Sequence, residues 1–256
     1  MTGWEEALGQ LRPEVLAVAL VCLRILPVVM LCPLLGGQLA PVPVRLAVAL
    51  SMGLVVRPLV GPVQLEDSGW VRACCGEAAF GLGLGLVSAL PFEAARTGGR
   101  WIDLFRGTSA EAALPGAGHR ESAGGELLHR LLLAMALSSG VLPVLLRALA
   151  RTFRLVPPGL ASPASPGAIA VWVGVAMGTG LAIAAPVLVL CWVVDGALAL
   201  VARAAPGIPL PEVAPPGRIL GGAVVVWLGL GLVCDRLLAA VAATPEAWAA
   251  LSSDGG

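Results

Sequence analysis

Apolar residues run in long blocks along this chain, and polar ones gather in short stretches between them. The blocks extend from about Pro13 to Leu31, Val42 to Val60, Trp70 to Phe92, Glu126 to Ala150, Ala168 to Val201 and Arg218 to Ala242. Each is near or above the ~20 residues that cross a bilayer core as a helix. The pattern predicts an all-α membrane protein of about six apolar helices, arranged as broken helical hairpins. Between the blocks lie CPLLGGQLAPVP at 32–43, VPPGLASPASPG at 156–167 and PGIPLPEVAPPG at 206–217. Proline cannot continue a helix and glycine and serine favour turns, so these are connectors. A different linker, 93–121, carries Arg96, Arg100, Asp103, Arg106, Glu111 and Arg120, and must meet water, headgroups or polar protein. The expected organisation is N-terminal hairpins with this linker over 1–122, a central helix with its Pro-rich loop over 123–166, and a C-terminal hairpin with a polar tail over 167–256.

The helices are poor lipid spans. Arg24 lies near the middle of the first, and a central Arg costs roughly 2.5–3.5 kcal/mol, while each Val, Leu or Ile returns at most about 0.3–0.6 kcal/mol. Glu77 falls about 10 Å into the third block, and Asp195 interrupts the fifth. Pro27, Pro91, Pro143 and Pro186 are expected helix breaks, whose freed carbonyls need neighbours. Intramembrane charge normally faces protein or an aqueous path, which favours assembly with other subunits over autonomous spanning. Gly81 with Gly85, and Gly174 with Gly178, leave flat strips suited to close helix packing. Arg147, Arg151 and Arg154 favour a cytoplasmic end after the fourth block, but the balanced 93–121 linker leaves the orientation open.

Composition sharpens the class. Hydrophobic residues make up 58%, charged residues 12%, and mean hydropathy is +0.91, which excludes an ordinary soluble globule. Net charge is zero with no basic cluster, so nucleic acid is not an expected partner. All basic residues are Arg, which removes the lysine that P-loop and Schiff-base chemistry require. The six cysteines have no C-x-x-C spacing and read as buried thiols rather than as a disulfide or zinc framework. The acidic start, with Trp4, Glu5 and Glu6, does not resemble a signal peptide, and the first apolar block is expected to be retained.

No reaction centre emerges. His119 and His129 have no metal-binding partner at helical spacing, and no metal or cofactor is expected. Ser138 and Ser139 lack a base that could face them, which argues against an intramembrane hydrolase. The glycines at 81, 83 and 85 lack the strand and acidic residue of a dinucleotide site. Arg24, Glu77 and Asp195 would suit a small-solute or ion transporter acting alone, and structural salt bridging explains them equally well.

The order of landmarks is more informative than any one. Arg24 and Pro27 lead into Pro33-Leu34-Leu35-Gly36, then Pro43, Arg45 and Pro58. Glu77, Gly81, Gly85 and Leu90-Pro91-Phe92 follow, then Gly99-Arg100-Trp101-Ile102-Asp103 through Arg106-Gly107. Near the C-terminus stand Ala185-Pro186, Asp195 and Arg203-Ala204-Ala205-Pro206. From about Arg12 to Leu238 this succession resembles the SctT/FliR (YscT, SpaR) family, a membrane subunit of the type III export apparatus. After Pro206 the chain departs from the family, with Gly207-Ile208-Pro209-Leu210-Pro211, and the 107–120 linker is its own.

The resemblance implies a non-enzymatic subunit of an export gate in the bacterial inner membrane. It would assemble with SctR-, SctS- and SctU-like subunits and pass unfolded secreted proteins as cargo. It also implies that Gly99, Asp103, Arg106 and Gly107 frame a plug loop, and that Arg24, Glu77, Asp195 and Arg203 are inter-subunit polar contacts. Read without the resemblance, Arg24 is as well explained by snorkelling, and Gly99 with Gly107 by turning the chain.

Overall fold

In the computed structural model the described residues are 3–37, 40–60, 69–108, 111–112, 121–204 and 210–254. They form eight helices: α1 (Gly3–Leu31), α2 (Val42–Val56), α3 (Trp70–Arg106), α4 (Ala123–Ser138), α5 (Val141–Leu155), α6 (Pro166–Ala204), α7 (Leu210–Ala242) and α8 (Thr244–Asp254). The protein is all-α, and its only described extended residues are an antiparallel two-residue ladder of β1 (Glu111–Ala112) with β2 (Glu121–Ser122). Five helices are long and apolar enough to cross a membrane, and six spans result if the broken pair α4 and α5 counts as one.

Several expectations are revised. The third helix does not stop at Phe92 but continues to Arg106, so half of the expected linker is helical. The fourth block is two helices, broken at Ser139-Gly140, where Gly140 adopts φ +73°, a left-handed conformation open to glycine. α5 is then an amphipathic helix with Leu145, Leu149, Thr152 and Phe153 buried and Arg147, Arg151 and Arg154 exposed. Its apolar residues recur at i, i+4, i+7 and i+8, the period of one helical face.

The four prolines do not interrupt their helices. Pro27, Pro91 and Pro186 lie inside continuous α1, α3 and α6, and Pro143 occupies the first turn of α5, where a missing N–H costs nothing. α7 also starts earlier than expected, taking up Pro215 and Pro216. The tail after Ala242 is the helix α8, opened by Pro245 and the first-turn Glu246.

The chain divides into two compact units. The first comprises residues 1–90, 136–173 and 241–256, and the second 91–135 and 174–240. Each unit is built from non-consecutive stretches, because α3, α4, α6 and the end of α7 cross between the two assignments. In the first unit, Leu20 and Ile25 of α1, Phe80 and Leu84 of α3, Leu145 and Leu149 of α5 and Trp248 of α8 are all fully buried and belong to its core. Trp248 Nε1 donates to the Leu84 carbonyl at 2.9 Å, so the tail helix is held by its one polar atom as well as its ring.

Candidate functional site

Two glycines bring the backbones of α1 and α3 together. A Cβ at Gly81 would collide with the Arg24 carbonyl, and one at Gly85 would lie 2.8 Å from the Pro27 carbonyl. This approach sets Arg24 and Glu77 side by side with no exposed surface on either side chain. Arg24 Nε donates to Glu77 Oε2 at 2.6 Å and Nη2 donates to Oε1 at 3.0 Å, the two-pronged geometry a guanidinium is shaped for.

The remaining valences are filled from the end of α5. Arg24 Nη1 donates to the carbonyls of Val156 at 2.9 Å and Thr152 at 3.3 Å. Both lie at the negative end of the helix dipole, and the Thr152 carbonyl also accepts from the Val156 N–H that closes the last turn. The Gly159 N–H donates to Glu77 Oε1 at 2.8 Å, which fastens the Pro-rich 156–167 loop to the same carboxylate. The ring centroids of Phe153 and Phe80 stand 4.4 and 5.1 Å from the guanidinium carbon. Arg24 therefore does not snorkel. Arg24 and Glu77, expected as contacts between subunits, satisfy one another and the α5 terminus within one chain.

The second unit holds the residues expected around a plug. Gly99, Asp103 and Arg106 lie on the helix α3 rather than on a loop, and only Gly107, at φ +73°, leaves it. The reason is tight packing: a Cβ at Gly99 would collide with the Gly124 carbonyl of α4. The Gly124 N–H then donates to Asp103 Oδ2 at 2.7 Å, so Asp103 serves a free donor at the start of α4. Arg106 Nη2 donates to the Ile219 carbonyl of α7 at 3.0 Å, its aliphatic stem lying against Gly222. After Gly107 the linker is closed by the β1–β2 ladder; residues 109–110 and 113–120, with His119 and Arg120, lie outside the described residues.

The α6–α7 hairpin is more open. Asp195 Oδ1 accepts from Arg218 Nε at 2.6 Å, both side chains being more than a third exposed, and Arg203 is exposed at the end of α6. Among the described residues, a Cβ at Gly174 or Gly178 would meet no heavy atom within 4 Å, so that strip, unlike Gly81 and Gly85, receives no other described element. Pro206, Gly207 and the residues to 209 lie outside the described residues. His129 is buried with its ring edge-on to Phe92, and no group of three or more metal-ligating side chains exists among the described residues. Sequence reasoning missed Phe80, Phe153 and Thr152 around Arg24, as well as Arg218 and Trp248. Phe153 had a visible signal, an apolar position among three arginines at helical spacing.

Residues 15–243 match the model of bacterial export proteins, family 1. The chain belongs to this family, the SctT/FliR family. It is also 30% identical over 224 residues to the flagellar biosynthetic protein FliR of Caulobacter vibrioides, covering 85% of this chain and 89% of that one. The matched region of this SctT/FliR-family protein includes the whole Arg24–Glu77 cluster, the Gly99–Gly107 stretch and the Asp195–Arg218 pair.

Proposed function

We propose that this protein is a structural, non-enzymatic subunit of the type III protein export gate in the bacterial inner membrane. With SctR-, SctS- and SctU-like subunits it would form the channel through which unfolded proteins cross. The observation that carries the reading is the family match along nearly the whole chain. The surface of the helices supports it: within the chain only 11% of an apolar 18-residue stretch of 215–253, 17% of 42–59 and 22% of an apolar 18-residue stretch of 166–204 is buried. Such surface suits sibling helices and lipid together. Asp195, Arg203 and the open Gly174–Gly178 strip are the chain's offered contacts to those siblings, and the linker after Gly107 is the candidate plug. For a transporter acting alone the support is weaker, because both Glu77 oxygens already accept from Arg24 and one also from Gly159.

Co-expression with the SctR- and SctS-like subunits tests the reading. The expected result is one detergent-stable complex of fixed stoichiometry, with the protein poorly recovered without its partners. A protein that restores secretion as a lone monomer, or that drives solute flux by itself in proteoliposomes, overturns it.

A further inference from the structure

Arg147, Arg151 and Arg154 fall at i, i+4 and i+7 of α5 and so form a single row along the helix. The row lies opposite the buried Leu145, Leu149, Thr152 and Phe153, and all three arginines are exposed. None of them makes an ion pair or a side-chain hydrogen bond among the described residues. Counterions are scarce by sequence as well, since residues 127–194 contain no Asp or Glu. Glu14 is paired with Arg57, and Glu77 with Arg24. On α8, which packs against α5, Glu246 is exposed and pairs with none of the three, and the side chain of Asp254 lies outside the described ones. Set against both of these acids, the row of three still keeps a positive surplus.

The borders of the row are apolar. Val144 and Leu155, each 48% exposed, flank it on one side and Leu146 on the other, and Leu160, 71% exposed, extends the border past the helix end. A face turned to bulk water gains nothing from such neighbours, whereas at a bilayer surface they lie against acyl chains while the guanidinium heads reach the phosphates. Depth follows from the same residues. Arg24 is sealed within protein and places no demand on it, but three bare arginines are disfavoured in hydrocarbon. The row is about 10 Å long, and the headgroup region on each side of a ~30 Å core is roughly 5–7 Å deep, so an upright α5 would not fit its arginines into that layer. With 15 residues, about 22 Å at ~1.5 Å each, α5 is also too short to cross.

We infer that α5 lies along the membrane surface and that Arg147, Arg151 and Arg154 together hold the phosphates of anionic phospholipid. Guanidinium groups suit this role, because each can grip two oxygens of one phosphate. An acidic segment of a partner protein has the complementary charge too, but a convex row with apolar borders offers it no groove. The membrane-crossing helices α1 and α2 of the same unit, by contrast, bring a headgroup layer with them. The inference does not depend on the export role.

The test uses the full chain reconstituted in nanodiscs holding equal amounts of phosphatidylglycerol and phosphatidylcholine, then released into mild detergent, with the retained lipids counted by native mass spectrometry. Phosphatidylglycerol is expected to be retained in preference. Arg151→Gln should lower that preference about fivefold, and the combined Arg147→Gln, Arg151→Gln and Arg154→Gln variant should abolish it. Unaltered protein given phosphatidylglycerol with a photoreactive headgroup should be labelled between Val144 and Leu155, a readout independent of how the variants fold. Equal retention of the two lipids, a preference that survives the triple change, or labelling elsewhere overturns the inference. So does a photocrosslink from position 151 to a partner polypeptide, instead of to lipid, in the assembled complex.

Discussion

The first compact unit and the α6–α7 hairpin of the second treat membrane-embedded charge in opposite ways. Around Arg24 every partner comes from the same chain, and the pair has no exposed surface. Asp195 and Arg218 also pair, but they keep more than a third of their surface open, and Arg203 stands exposed at the end of α6. The glycines divide the same way, Gly81 and Gly85 approached by α1, Gly174 and Gly178 by nothing among the described residues. The Arg24 cluster completes itself, whereas the α6–α7 hairpin presents unfinished surface.

The contrast is broken most severely at Glu77. Glu77→Ala leaves a buried guanidinium without its counterion and should cost about 3–5 kcal/mol. Denaturant titration in detergent would read this, and an Arg24→Met, Glu77→Leu double variant should recover most of the loss. Gly81→Ala forces a methyl against the Arg24 carbonyl and should cost about 1–3 kcal/mol by the same measurement. Asp103→Ala removes the acceptor at the start of α4 and should cost about 0.5–2 kcal/mol, with faster hydrogen exchange at Gly124. Asp195→Asn is expected to change the chain's own stability by no more than ~1 kcal/mol, since the pair is solvent-screened. Gly178→Leu should leave the isolated chain as stable as before and lower recovery of partner subunits. A destabilised isolated chain would show that this strip is packed internally after all.

Much of the first unit was legible in sequence because its signals are chemical exceptions. An arginine and a glutamate in apolar blocks announce a need for partners, and Gly81 with Gly85 announces where a backbone approaches. What stayed hidden was who those partners are, because Thr152, Val156 and Gly159 contribute backbone atoms that any residue carries. The extension of α3 was hidden for another reason. Glu93, Arg96, Arg100 and Asp103 read as a polar linker by hydropathy, yet at spacings of three and four they decorate a helix whose Gly98 and Gly99 pack against Gly180 and Gly124. The α4–α5 break rests on one residue, Gly140, whose positive φ leaves no mark on composition. α8 was read as a tail because it is short and carries serine and acid, and only the burial of Trp248 reveals its anchorage.

The Arg24 cluster also sets a timetable for biogenesis. Its members enter the growing chain far apart: Glu77 follows Arg24 by 53 residues, and Val156 follows it by 132. At roughly 5–20 residues per second, Arg24 emerges from the ribosome some ~7–26 s before the carbonyl that completes its shell. During that interval the first helix carries an arginine that the bilayer disfavours, so its final seating must wait for α5 to be made. The first helix of this protein is thus completed only by a segment translated long after it.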